Sequence, residues 1–208
     1  MSNLILGSTS PRRHHLLKEA GFAFVAARPD IDETPHPDEP AVDYVARLSR
    51  EKASAVAAQQ SGLILTADTT VAIDNHILGK PEDAADAHTM LSQLRGRTHH
   101  VHTGVALLDA NTRQTTTLVV TTEVLMRDYT DAEIAAYIAS GDPFGKAGSY
   151  AIQNRVFHPV KRVLGCYTNV VGLPICMVCR LLAERGLSAA NTPSCAVDQQ
   201  PCQYQGLF

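Results

Sequence analysis

Two adjacent arginines, Arg12 and Arg13, follow Ser8-Thr9-Ser10-Pro11 and precede a short helical pattern with a Leu-Leu pair. The apolar run before them, Leu4-Ile5-Leu6, reads as a buried strand, and Pro11 suits the first position of a helix, where its missing N–H costs nothing. Ser10 then stands at the capping position. A helix start offers unpaired backbone N–H groups and the positive end of the helix dipole, and guanidinium forks beside it match phosphate oxygens. Ser8, Ser10, Arg12 and Arg13 are therefore candidates for a phosphate cradle, against the plainer reading of a helix that begins with two solvated arginines.

Carboxylates and lysines elsewhere could complete such a site. Asp68 interrupts the strongest strand pattern of the chain, Leu63-Ile64-Leu65-Thr66-Ala67-Asp68-Thr69-Thr70-Val71-Ala72-Ile73. An aspartate inside a buried strand must be paired, hydrogen-bonded or bound to metal, because an unpaired buried charge costs several kcal/mol. It is read as a catalytic or metal-facing carboxylate, with a backbone-bonded aspartate at a bulge as the alternative. Asp30, Asp32 and Glu33 crowd a proline-rich stretch, which is either a solvated acidic loop or one side of a divalent-cation site shared with substrate phosphates. Lys80 ends a hairpin return that brings it toward Asp68. Lys52 lies on an amphipathic helix, where it is either a solvated charge or a group reaching inward.

The elements that must hold these groups alternate between strand and helix. Strands are expected at residues 4–6, 22–27, 63–73, 98–108, 115–126, 150–153 and 160–164, with a hairpin return over 76–81. Helices are expected at 11–20, 41–59, 82–94, 131–140 and 175–184, the fourth opened by a capping box of Thr130 and Glu133. The glycine-rich loop Gly141-Asp142-Pro143-Phe144-Gly145-Lys146-Ala147-Gly148 misses a nucleotide-binding P-loop: one residue is lacking between glycines, and Ala147 stands where a hydroxyl is needed. One domain is expected over residues 1–186. Residues 187–208, rich in Ser, Ala, Asn, Gln and Pro, read as a poorly ordered tail.

Composition bounds the function. The 208 residues are 45% hydrophobic and 19% charged, an ordinary globular balance long enough for a core without disulfides. A net charge of −3 gives no global attraction to nucleic acid or to an anionic membrane, so any anion site must be local. Trp is absent, which argues against base-stacking platforms. No segment approaches the roughly 18 apolar residues of a membrane span, and no secretory signal pattern is visible, so a cytoplasmic protein is expected. Five cysteines sit late. Cys176, Cys179, Cys195 and Cys202 could form a four-thiolate zinc site or remain small buried thiols. His100 and His102 share a strand face, either as an exposed surface or as two ligands lacking a third.

Taken together, the chain resembles the Maf family of nucleoside triphosphate pyrophosphatases. The resemblance rests on Ser8-Thr9-Ser10-Pro11-Arg12-Arg13, Asp30-Ile31-Asp32-Glu33-Thr34, Arg50-Glu51-Lys52-Ala53, Ala67-Asp68-Thr69, Leu78-Gly79-Lys80-Pro81, His102-Thr103-Gly104-Val105, Lys146-Ala147-Gly148-Ser149-Tyr150-Ala151-Ile152-Gln153 and Asn169-Val170-Val171-Gly172-Leu173-Pro174. These eight pieces stand in the family's order. The resemblance implies an α/β fold of the inosine-triphosphatase-like kind: a long mixed sheet with helices on both sides, two lobes around a cleft, and often a homodimer. It implies cleavage of a nucleoside triphosphate to the monophosphate and pyrophosphate, a house-cleaning role, with magnesium or manganese as cofactor.

By the same resemblance Asp68 accepts a proton, Lys52 and Lys80 are the cleft cations, and Glu33 helps Asp68 hold the metal. Arg12, Thr69 and Gln153 match the positions that choose the base in members cleaving dTTP and UTP. The tryptophan after the proline found in relatives that cleave 7-methyl-GTP is not here. Gln153 carries donor and acceptor on one amide, which suits the edge of uracil or thymine. The family's glycine-rich segment after Gln153 is replaced by Asn154-Arg155-Val156-Phe157-His158-Pro159, which leaves CTP, a modified pyrimidine or a purine as alternatives for the base. A nucleotide-binding regulator of septum formation is the alternative of a different class, although a pure binder has no need of Asp68 beside Glu33.

Overall fold

The computed structural model describes residues 4–191. Its strands are β1 (Leu4–Gly7), β2 (Val25–Ala27), β3 (Leu63–Ile73), β4 (His76–Leu78), β5 (Thr98–Asp109), β6 (Thr115–Met126) and β7 (Val160–Leu164). They form one mixed sheet in the order β2-β1-β3-β5-β6-β7, with β4 on the far half of β3. β1 runs parallel to β2 and β3, and all other pairs are antiparallel. The helices are α1 (Pro11–Glu19), α2 (Ala41–Ala57), α3 (Ala84–Leu94), α4 (Asp131–Ala139), α5 (Tyr167–Val171) and α6 (Ile175–Ala183).

Side-chain alternation along the strands divides the core. Ile5, Ile64, Ala106 and Leu108 face Ala53 and Val56 of α2 on one side of the sheet. On the other side Leu4, Leu6, Leu65 and Leu107 pack against α1, α5 and α6. Farther along that same face, Val71, Val101 and Val124 pack against Leu91 and Leu94 of α3 and Ile134 and Tyr137 of α4. The last two clusters are the bodies of two lobes, and the cleft runs between them. Gly104 seats α2: a Cβ there would lie 2.2 Å from the Val45 carbonyl oxygen. Only glycine lets this helix lie so close to β5.

Three expectations need correction. Residues 150–153 are not a strand. The chain leaves the glycine-rich loop through a 3₁₀ turn, Ala147–Ser149, with Gly148 at φ 67°, and the Ala151 N–H bonds the Tyr137 hydroxyl instead of a ladder partner. The short helix α5 was not expected, because Tyr-Thr-Asn-Val-Val carries β-branched residues that read as strand. Ser10 stands at the N-cap of α1 with extended backbone but makes no side-chain cap bond; its own N–H is bonded by the Ser8 hydroxyl. Residues 187–191 lie against the end of α1, where the Asn191 amide donates to the Glu19 carbonyl at 2.7 Å. The remainder of the expected tail, with Cys195 and Cys202, lies outside the described residues. Cys176 and Cys179 are buried on α6. No described helix is long and apolar enough to cross a membrane.

Candidate active site

The site occupies a break in the sheet edge. β1 pairs with β3 from Leu63 to Thr66, and β4 pairs with it from Val71 to Ile73. Between them, residues 67–70 of β3 have no strand neighbour on that edge. β1 ends there too, so the amino end of α1 opens onto the same gap, at the carboxyl end of a parallel strand where α/β folds commonly bind ligands. The result is a cleft of about 670 Å³ lined by Ser8, Ser10, Arg12, Arg13, Glu33, Lys52, Asp68, Thr69, Lys80 and Gln153, every site residue expected from sequence.

Successive residues of β3 turn to opposite faces, and here they do different work. Asp68, 7% exposed, faces α2, where Lys52 is 6% exposed. The Lys52 ammonium donates to Asp68 Oδ1 at 2.5 Å and lies 2.7 Å from Glu33 Oε1. Lys80 approaches Glu33 Oε2 at 3.5 Å from the solvent side. Burial would raise the Glu33 carboxyl, but the hydrogen bond and charge of Lys52, aided by Lys80, hold it below its usual range. Of the three acids on the proline-rich loop, only Glu33 reaches this cluster; Asp32 accepts from the Thr34 N–H instead. The loop is held on α2 by the Tyr44 hydroxyl, which donates to the Glu33 carbonyl at 2.9 Å, and by Arg47, bonded to Glu39 and to the Thr34 carbonyl.

Thr69 turns to the other face. Its hydroxyl accepts from Arg13 at 3.0 Å and pairs with Thr103 at 2.9 Å. Arg13 is a hub: Nε donates to the Gly172 carbonyl at 2.7 Å and Nη1 to Ser8 at 3.4 Å. Arg12 bonds the protein through Nε alone among the described residues, to the Val171 carbonyl at 3.3 Å. Burial lowers the pKa of both guanidinium groups; Asp142 offsets this in part at Arg12, and Asp68 at Arg13. Sequence reasoning missed this use of residues 169–174, whose carbonyls hold both arginines. The contacts are made by the Val171 and Gly172 backbone carbonyls, for which residue type gives no signal.

At the other end, Gln153 is exposed on the cleft wall, above Tyr150 and Ile152. Tyr150 is buried, with its hydroxyl 2.8 Å from His99 Nε2, and burial pushes that phenol up. Burial, with the neighbouring His100, brings His99 down to about 3, so this pair is neutral at ordinary pH. His100 and His102 stack at 6.0 Å, and His102 pairs with the Thr121 hydroxyl. The described residues contain no cluster of three or more His, Cys, Asp or Glu able to cage a metal. Glu33 and Asp68, two carboxylates converging on one ammonium, instead fit a hard cation that completes its shell with phosphate oxygens and water.

A family profile described as "Maf-like protein" matches residues 3–185. A dTTP/UTP pyrophosphatase of Myxococcus xanthus is 49% identical over 185 residues, covering 88% of this chain and 93% of its own. One from Citrifermentans bemidjiense is 47% identical over 178 residues, covering 85% and 92%. Among solved structures, a HAM1 protein from Coxiella burnetii aligns with 62% of this chain and 75% of its own, at 17% identity and a TM-score of 0.45.

Proposed function

The chain belongs to the Maf family, and from that premise we propose that it hydrolyses dTTP and UTP to the nucleoside monophosphate and pyrophosphate, clearing such triphosphates in the cytoplasm. The observation that carries the reading is one cleft in which the amino end of α1, with Arg12 and Arg13, faces the Glu33–Lys52–Asp68 cluster. The phosphates lie against Ser8, Ser10, Arg12 and the first turn of α1. Arg13, whose donors hold Gly172, Thr69 and Ser8, fixes the cradle and adds its charge.

Asp68 orients the attacking water and takes its proton as the α–β anhydride breaks. Lys52 donates to that carboxylate at 2.5 Å and keeps it aimed. Charge gathering on the phosphoryl oxygens meets Arg12, Lys52 and Lys80 in fixed positions, so little reorganisation is needed at the moment of reaction. Glu33 and Asp68 would hold a magnesium or manganese ion, which when bound would polarise the anhydride as a Lewis acid. Gln153 offers its amide to the O–C–N–H edge of uracil or thymine, with Thr69 and Arg12 setting the distance from base to phosphates.

The test is pyrophosphate release from dTTP, UTP, CTP, dATP and GTP, with and without magnesium, for the wild type and Asp68→Asn. Magnesium-dependent release, fastest with dTTP and UTP and abolished in the variant, is the expected result. Tight binding with no release from any triphosphate would point to a nucleotide-binding regulator instead.

A further inference from the structure

Behind the segment that carries Gln153 lies a second hollow of about 470 Å³, lined by Arg12, Asp142, Lys146, Gln153, Asn154 and Arg155 among others. Residues 151–153 are the wall between this hollow and the cleft, since Ala151 and Gln153 line both. That wall has no ladder partner. Its placement comes from side chains gathered on Asp142, in the turn after α4.

Asp142 Oδ2 accepts from the Tyr137 hydroxyl at 2.8 Å and from Asn154 Nδ2 at 3.0 Å, while Oδ1 accepts from Lys146 at 3.1 Å. The Tyr137 hydroxyl in turn accepts from the Ala151 N–H at 3.0 Å. Both ends of the wall are therefore tied to one carboxylate, Ala151 through Tyr137 and Asn154 directly. Asn154 also closes its own turn, its Oδ1 accepting from the N–H groups of Val156 at 3.1 Å and Phe157 at 2.7 Å. The Phe157 ring stacks on Tyr137 at 4.2 Å and carries the tie into the core. Burial favours the neutral acid at Asp142, but its hydrogen bonds from Tyr137, Asn154 and Lys146 hold it ionised, as three donors to one carboxylate require.

The consequence concerns selectivity. A glutamine amide free to rotate by half a turn pairs with cytosine as readily as with uracil. Contacts on the amide must choose its orientation, and the backbone under Gln153 must hold it at a fixed distance from the base for those contacts to form. We propose that Asp142 is a positioning residue for base selection, acting through Tyr137 and Asn154 to hold residues 151–153 against the nucleobase. The proposal rests on the reading that Gln153 meets the base.

Its test is steady-state kinetics with dTTP and CTP for Asp142→Ala, Asp142→Asn, Asn154→Gly and Gln153→Ala, with thermal melts alongside. Asp142→Ala is expected to raise KM for dTTP about tenfold, the worth of one to two buried hydrogen bonds, with kcat within about twofold of wild type. Asp142→Asn keeps an oxygen that can accept from both Tyr137 and Asn154, and should recover most of that loss. Asn154→Gly removes the bond to Asp142 together with the two that close its own turn, and should raise KM about threefold or more. It carries the test if Asp142→Ala does not fold. The preference for dTTP over CTP should fall in the same order. If Gln153→Ala loses the preference while Asp142→Ala and Asn154→Gly keep it, the proposal is overturned and the base-reading role of Gln153 stands. If kcat falls with KM and preference unchanged, Asp142 serves stability or chemistry, and the proposal is again overturned. If Gln153→Ala keeps the preference, the base reading fails, and this proposal with it.

Discussion

The two ends of the cleft are built on opposite electrostatic principles. At one end six charged side chains gather: Lys52 and Lys80 meet Glu33 and Asp68 at 2.5 to 3.5 Å, and Arg12 and Arg13 are held by the Val171 and Gly172 carbonyls. At the other, which the proposed function gives to the base, His99 is neutral, Tyr150 keeps its proton and Gln153 carries an uncharged amide, with Lys146 on the same wall. Charge develops where an anhydride breaks, and fixed ions there act without reorganising. A pyrimidine edge carries no charge, and an amide suits its donor and acceptor pattern. The ionic end is held by the Lys52 and Lys80 pairs with the acids and by the carbonyls beneath the arginines. The neutral end borrows its rigidity from a core behind it.

Perturbations of the two ends should separate cleanly. The largest effect is expected from Asp68→Asn, which keeps shape and removes the base: kcat should fall by about 10²–10⁴, measured as pyrophosphate release, with triphosphate binding retained. A drop below tenfold would take Asp68 out of the chemistry and blur the division. Gly104→Ala attacks the seat of the ionic end, since the new methyl would meet the α2 backbone carbonyl at 2.2 Å. It should cost about 3 kcal/mol or more in denaturant unfolding, because neither backbone can give way.

The neutral end has a pH signature of its own. His99, brought from 6.5 to about 3 by burial, binds a proton more readily in the unfolded chain. Between those values the unfolded state holds more protons, so stability is full above 6.5 and is lost as pH falls toward 3, by up to about 1.4 kcal/mol per pH unit. His99→Gln should flatten the fall in unfolding free energy across that window, and a slope equal to wild type would show that His99 is not the group responsible. The smallest effect falls on selectivity: Gln153→Ala should lower the dTTP-over-CTP ratio of kcat/KM about tenfold, the worth of two lost hydrogen bonds, while kcat for dTTP changes little. A collapse of kcat instead would show that the ends are not independent.

Much of this was legible in the chain. An aspartate inside Leu63-Ile64-Leu65-Thr66-Ala67-Asp68 requires a partner, and the strand around it formed as the apolar pattern required. The arginine pair after Pro11 marked a helix start, which α1 provides. The chain gave less warning of what depends on distant contacts. Periodicity favours a solvated face for Lys52, and only the fold brings it to both Asp68 and Glu33. Residues 150–153 alternate like a strand, but positive φ at Gly145 and Gly148 turns the chain away from the sheet, and side chains take over the bonding. The carbonyls of Val171 and Gly172 hold the arginines through backbone atoms, which residue type does not encode. Ser10 occupies the cap position without capping, and the residue lines the cleft.

The division of labour along the cleft is tested most directly by a crystal structure with an α,β-imido analogue of dUTP. The triphosphate should lie against Arg12 and the first turn of α1, with Asp68 nearest the α-phosphorus and the uracil edge on the Gln153 amide. A ligand bound the other way round, or with its phosphates away from Arg12 and Asp68, would contradict it.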